Sequence, residues 1–238
     1  MLLQALEAVT GTMPADLRYA VMSSHFGGQA LSKLGQLQTP GIVYLSGRAL
    51  LNFDPRWYNE IEAITRAEEH LLTKTRADLE PAAKNNQVTI AIDTTQQNRV
   101  VGCIVLWELE RDRQGVLWYE LGTFVVAPDH RYKARGPKAM PIGDALYRLL
   151  LHQHRNKNII GTTTNIHAIH TGLRHGMQMV SYHDLPPDIH TATCICPFSK
   201  TGAEDNAHCT IKNLKCRVRV SYPTWVRMGQ PTRLSFPS

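Results

Sequence analysis

"VVAPDHRYKARGPKAMPIGDALYRLL", residues 125–150, decides how this chain is read. It leaves an apolar strand at Val126 and passes Pro128. It then gathers four basic residues, Arg131, Lys133, Arg135 and Lys138, with no acid between them. It ends in a helix pattern: Ile142, Ala145, Leu146, Leu149 and Leu150 fall at steps that make one core-facing stripe. A helix N-terminus has unpaired N–H donors and a partial positive charge. A strand that feeds a basic loop and then such a terminus is suited to hold an anion.

The elements around it follow from periodicity. Arg56–Leu72 reads as an amphipathic helix with Trp57, Ile61, Ile64 and Leu71 on one face. A second helical piece, 76–84, stops at the Asn85-Asn86 turn signal. Strands follow at Gln87–Ile92, Val100–Leu109 and Val116–Val126, divided by the polar turns TTQQNR (94–99) and ERDRQG (110–115). The middle strand is almost continuously apolar, as one buried on both faces would be. Beyond the quoted stretch come a strand at 158–164, a helix at about 165–175 and a strand at about 177–183. LPPD (185–188) ends that strand, and Cys216–Ser221 alternates as a further strand. The strand–helix–strand unit at 116–164 is expected to form a parallel pair by a crossover.

The expected fold class is therefore α+β, a mixed and mostly antiparallel sheet flanked by helices. Residues 1–54 form a helical N-terminal extension with a short strand at 41–47. Residues 55–183 form the core. Residues 184–238 form a Cys-containing, β-rich C-terminal extension packed on it.

Composition narrows the function. Hydrophobic residues at 43% and charged residues at 19% fit a globular chain. No apolar run reaches the roughly 18 residues of a membrane span, and the start lacks a basic leader, so a cytoplasmic, membrane-free protein is expected. The net charge of +6 is uneven. Basic residues outnumber acidic ones nine to six over 101–165 and eight to four over 166–238, so an anionic ligand belongs to the second half. Aromatic content of 7%, without a basic–aromatic stripe, argues against nucleic acid. Five cysteines without an export signal argue for a reducing compartment.

Three segments resemble the GNAT family of N-acetyltransferases over roughly residues 55–183. Val126-Ala127-Pro128-Asp129-His130-Arg131 looks like the family's V-x-P-x-x-R after the fourth strand. Ile142-Gly143-x-x-Leu146 looks like the I-G-x-x-L that opens the next helix. Asn165-x-x-Ala168, with Gly176-Met177 after it, looks like the family's N-x-x-A…G-F segment. The resemblance implies acetyl-CoA, or another acyl-CoA, bound where the fourth and fifth strands part. It implies an amine acceptor as the second substrate.

The coenzyme residues implied are Phe124, Val125, Val126, Arg131, Lys133, Arg135, Ile142, Gly143, Asn165 and Ala168. The loop departs from the family pattern. Ile142 comes eleven positions after Arg131, about seven more than usual, and Tyr132 and Ala134 stand where the family has glycines. Pro137 and Pro141 remove two N–H donors. The N–H groups of Ile142 and Gly143, with those of Ala139 and Met140, remain to take the pyrophosphate. Arg131, Lys133, Arg135 and Lys138 add charge.

Acyl transfer to an amine needs a base, a stabilised thioester oxygen and an exit for the thiolate. Glu120, on the strand before the parting, is the expected base. The resemblance implies a backbone N–H on this strand, over Phe124–Val126, for the thioester oxygen. The family often has a tyrosine seven residues after the asparagine, and position 172 is glycine here. Tyr182, with His170 and His175, is the substitute nearby in sequence.

Cys194, Cys196, Cys209 and Cys216 lie within 23 residues and offer a structural zinc site, with His208 as an alternative ligand. Buried free cysteine is the plain alternative, and Cys103 on its apolar strand reads as core. The expected function is an acyl-CoA dependent N-acyltransferase, with a homodimer left open. The alternative is a non-catalytic GNAT-like module that meets a macromolecular partner through the basic loop or the Cys-rich tail.

Overall fold

The computed structural model describes residues 41–46, 55–68, 71, 73–131, 140–163, 165–180, 184–193 and 217–221; for 191 and 217–221 it gives the backbone. These belong to two compact units, Met1–Val105 with Thr123–Leu150, and Leu106–Gly122 with Leu151–Ser238. The order is β1 (Ile42–Ser46), α1 (Arg56–Arg66), α2 (Arg76–Lys84), β2 (Val88–Asp93), β3 (Arg99–Arg111) and β4 (Leu117–Val126). Then come α3 (Ile142–Gln153), β5 (Asn158–Thr163), α4 (Ile166–Arg174), β6 (Gln178–Val180), α5 (Pro187–Thr193) and β7 (Arg217–Ser221).

In the first unit β1 pairs antiparallel with β2, from Ile42↔Asp93 to Ser46↔Thr89, and β2 pairs antiparallel with β3. The strand at the end of the N-terminal segment is thus a strand of the sheet. β2 is buried throughout and β3 is buried from Val100 to Leu106, as its apolar run implies. The β2–β3 hairpin turns through Gln97 (φ +54°) and Asn98 (φ +58°), closed by Arg99 N–H to Gln96 O at 3.0 Å. Two consecutive left-handed residues make the turn whose twist matches the flanking strands. Helix α1 fastens it: Arg56 Nη2 donates to Gln97 O, Trp57 Nε1 donates to Asn98 O, and Glu60 Oε2 accepts the Val100 N–H at 2.7 Å.

The buried side of α1 is Trp57, Tyr58, Ile61 and Thr65, and the helix stops at Arg66 rather than Leu72. Thr65 takes the place expected of Ile64 because its hydroxyl bonds back to Ile61 O at 2.9 Å and Glu62 O at 3.0 Å. In α3, Ile142, Ala145, Leu146 and Leu150 are buried as expected, with Tyr147 and Leu151 added, and Leu149 is half-buried.

In the second unit β4 pairs parallel with β5 over Trp118↔Asn158, Tyr119↔Ile159 and Glu120↔Ile160. β7 pairs antiparallel with both β5 and β6. Trp118, Ile160, Leu185 and Ile189 form the core there, with Leu109 and Val180 against it. The Trp118 indole donates to Asp112 Oδ2 at 2.9 Å, and Asp112 Oδ1 accepts the N–H groups of Gln114 and Val116, which sets the β3–β4 turn. The sheet is mixed and mostly antiparallel, flanked by helices, as expected. α5 was not expected. Pro187 was read as a stop, yet proline at the first helical position suits a helix start, because that N–H has no partner in a helix.

Candidate active site

The quoted stretch begins at the end of β4. Ala127 N–H donates to Val101 O at 2.8 Å, and Pro128–His130 form one 3-10 turn. All three side chains of Asp129-His130-Arg131 are engaged inside the first unit. His130 Nε2 lies 2.8 Å from Asp93 Oδ2, and both residues are buried, at 3% and 0% exposure. Its Nδ1 lies 3.0 Å from Asp129 Oδ1. Asp129 in turn meets Arg99 Nη1 at 3.3 Å. Asp129 is held below the ordinary carboxylate range by its hydrogen bond to His130, with the charges of His130 and Arg99 adding to it.

Arg131 donates from Nε to Val126 O at 2.7 Å, and its Nη2 pairs with Glu68 Oε1. Its guanidinium therefore braces the turn and is already matched by a carboxylate. This differs from a cation held out for phosphate. Lys133, Arg135 and Lys138 lie outside the described residues, as do Tyr182 and the four tail cysteines.

Helix α3 opens at Ile142, after Pro141, and Pro141 O accepts the Ala145 N–H at 3.0 Å. The N–H groups of Ile142, Gly143 and Asp144 belong to the first turn, which has no intrahelical acceptors for them. Gly143 stands against β4: a Cβ built there would lie 3.0 Å from Phe124 Cζ and 3.8 Å from Val126 Cγ2. Phe124 is itself fixed, edge-on to the buried Tyr147 at 4.7 Å and 89°. Val125 points into the core at 4% exposure. Asp144 places a carboxylate in that first turn, which competes with an incoming anion.

Thr123, buried at 6%, has φ +50° within β4. A β-branched residue in the left-handed region is an outlier that the surrounding structure must hold. Sequence gave no sign of it.

In the second unit Glu120 is half-buried at the last parallel pair, and Thr162 Oγ1 donates to its Oε1 at 3.1 Å. The glycine at 122 admits the Trp107 indole, since a Cβ there would meet Trp107 Cδ1 at 3.0 Å. Asn165 is the N-cap of α4. Its Oδ1 accepts the N–H groups of His167 at 2.9 Å and Ala168 at 3.4 Å. Asn165 is thus accounted for as a helix cap, with Oδ1 engaged by the start of α4. Ala168 is buried at 8%. Gly172 is buried within α4 and brings no hydroxyl, while His167 and His170 are exposed.

Among the described residues no group of three or more His, Cys, Asp or Glu side chains is placed to hold a metal. Cys103 is a free thiol in the core, its pKa pushed up by burial. No described helix is long and apolar enough to cross a membrane.

The chain has the GNAT-type acetyltransferase fold. It is similar to Rv2747 from Mycobacterium tuberculosis, solved in complex with CoA and NLQ: TM-score 0.51 and 17% identity, over 76% of this chain and 98% of that one. An acetyltransferase from Streptococcus agalactiae aligns with TM-score 0.49 and 15% identity, over 76% of this chain and 98% of that one. N-acetylglutamate synthase from Neisseria gonorrhoeae, complexed with coenzyme A and L-arginine, aligns with TM-score 0.46 and 16% identity, over 76% of this chain and 33% of that one. No family model and no curated protein matches the sequence.

Proposed function

We propose that this protein is an acyl-CoA dependent N-acyltransferase that moves an acetyl or other acyl group from coenzyme A to an amine. The observation that carries the proposal is the approach of Gly143 to Phe124, which sets the first turn of α3 against the end of β4, the strand that leads into the V-x-P-x-x-R turn. The pyrophosphate is assigned to the N–H groups of Ile142 and Gly143, with Lys133 and Arg135 as charge partners. The Phe124–Val126 backbone is assigned to the acyl arm. Glu120, oriented by Thr162, is assigned to deprotonation of the ammonium. The thiolate leaves without a tyrosine at position 172. A thiol near pKa 8.5 is a tolerable leaving group.

The test is thermal unfolding with free coenzyme A and with acetyl-CoA at fixed salt and pH, followed by acyl transfer to a panel of amines. Ligand at about 100 times its dissociation constant adds about 2.7 kcal/mol. A saturable rise in Tm with both ligands, and thiol release that depends on an amine, is the expected result.

The second reading is a non-catalytic module on the same fold. The buried Gly172, the acid at Asp144 and the occupied guanidinium of Arg131 favour it. A Tm rise without turnover on any amine would select it. No Tm rise with either ligand would reject coenzyme binding.

A further inference from the structure

We propose that the indole of Trp107 selects the acceptor, and that the acceptor is a primary monoamine with an apolar body, best a flat aromatic one. The inference rests on the acyl-CoA reading of the site, because it takes Glu120 as the group that meets the ammonium. The substrate class is the one that the surroundings of Glu120 can hold.

Those surroundings follow from sheet geometry inside the second unit. Side chains alternate along a strand, so Trp118, Glu120 and Gly122 share one face of β4. The parallel register brings Ile160 opposite Glu120, and Thr162, two residues on, reaches Glu120 Oε1. Trp107 belongs to the same face by two observations. A Cβ built on Gly122 would stand 3.0 Å from Trp107 Cδ1 and 3.2 Å from its Nε1. Leu109, two residues after Trp107 on β3, packs against the cluster that holds Trp118. The indole thus lies where a side chain at position 122 would lie, at the place that follows Glu120 on that face.

The two sides of Glu120 differ. Toward Trp118 the face is filled: Trp118 and Ile160 are buried and packed with Leu185 and Ile189 of α5. Toward Gly122 it is more open, since Glu120, Gly122 and Trp107 are all half-buried. An amine whose ammonium meets Glu120 therefore has its body on the Trp107 side. A flat apolar body gains there by burial and stacking on the indole. An ammonium beside an indole gains a cation–π attraction as well. Lys157 does not compete for the carboxylate from this face, because it lies over the ring of Tyr119, on the opposite face of β4. Arg111 follows Leu109 on the shared face and is turned to the hairpin, where Nη1 donates to Gly115 O at 2.7 Å. Trp107, Leu109, Ile160 and Thr162 carry no charge. A second ammonium or a carboxylate on the acceptor would lose water among them without gaining a charged partner, and that disfavours it.

The experiment compares phenylethylamine with diaminobutane on the whole protein. Binding is measured by calorimetric titration with free coenzyme A at saturation, and turnover by thiol release from acetyl-CoA. The wild type is expected to favour phenylethylamine by about tenfold or more in both. Trp107→Ala should bring that ratio close to one, through Kd and KM for phenylethylamine more than through kcat, and Trp107→Phe should keep most of it. Gly122→Ala, which pushes the indole aside without removing it, should lower the ratio in the same direction. Tm and coenzyme A affinity of each variant tell loss of fold from loss of preference. An unchanged ratio in folded Trp107→Ala or Gly122→Ala would overturn the role of Trp107. A wild type that binds coenzyme A but takes diaminobutane as well as phenylethylamine, or takes neither, would overturn the substrate class and leave coenzyme binding intact. A wild type that binds no coenzyme A and releases no thiol with any amine would overturn the acyl-CoA reading and this proposal with it.

Discussion

A methyl group added at Gly143 would stand 3.0 Å from Cζ of Phe124. The ring sits edge-on to the buried Tyr147, a contact it would have to give up in moving aside. Gly143→Ala should therefore push the first turn of α3 off β4. The expected cost is about 1–3 kcal/mol of stability, the usual range for overpacking. Coenzyme A affinity should fall in parallel. Phe124→Leu in the same chain should restore part of the stability, and a denaturant double-mutant cycle would measure the coupling.

Asn165 holds the start of α4 through Oδ1. Asn165→Ala should cost about 1 kcal/mol, as loss of a helix cap does, and Asn165→Asp should cost much less. If coenzyme A binds both variants like the wild type, Asn165 is a cap and nothing more. Thermal melts with and without coenzyme A separate the two contributions.

Glu120 is expected to act on the amine and not on the coenzyme. Glu120→Gln should lower kcat by about 10²- to 10⁴-fold, the range for a lost general base. The dissociation constant for coenzyme A should hardly change. Thr162→Val should show a smaller loss in the same direction, because it frees the carboxylate from one hydrogen bond. Steady-state rates beside direct binding would check both.

Asp129 offers a test in acid. Its pKa is depressed in the folded protein, first by the His130 hydrogen bond. A carboxyl depressed on folding contributes stability above its unfolded value, about 3.9, and loses it as pH falls through the folded value. The Tm gap between wild type and Asp129→Asn should therefore be widest near neutral pH and shrink below about pH 4. A constant gap down to about pH 2 would deny the linkage.

The sheet was legible because its signals are local and apolar. Val100–Leu109 and Val116–Val126 announced β3 and β4 by composition, and the α3 stripe was readable from Ile142 onward. What escaped was polar and long-range. Thr65 reads as a surface residue until its hydroxyl is seen to bond within the helix. Pro186-Pro187 reads as a stop until Pro187 is found at the start of α5. His130 stood as a spacer in a motif, and its partner Asp93 lies 37 residues away at the end of another strand. Arg131 was recognisable as a motif residue. Its pairing with Glu68 depends on where α1 ends, which periodicity placed at Leu72. Glu120 and Gly143 were identified from resemblance. The contacts that position them, Thr162 and Phe124, needed coordinates.

Strand β7, residues 217–221, lies between β5 and β6, although both precede it in the chain by dozens of residues. On a ribosome, β5 and β6 emerge long before the strand that joins them. Their main-chain donors and acceptors then have a vacant lane between them, and an open strand edge is a template for the wrong chain. The second unit should thus be the late-closing part during synthesis, dependent on segment 217–221 to seal it. Truncated products ending before Arg217 should need chaperones that full-length chains do not.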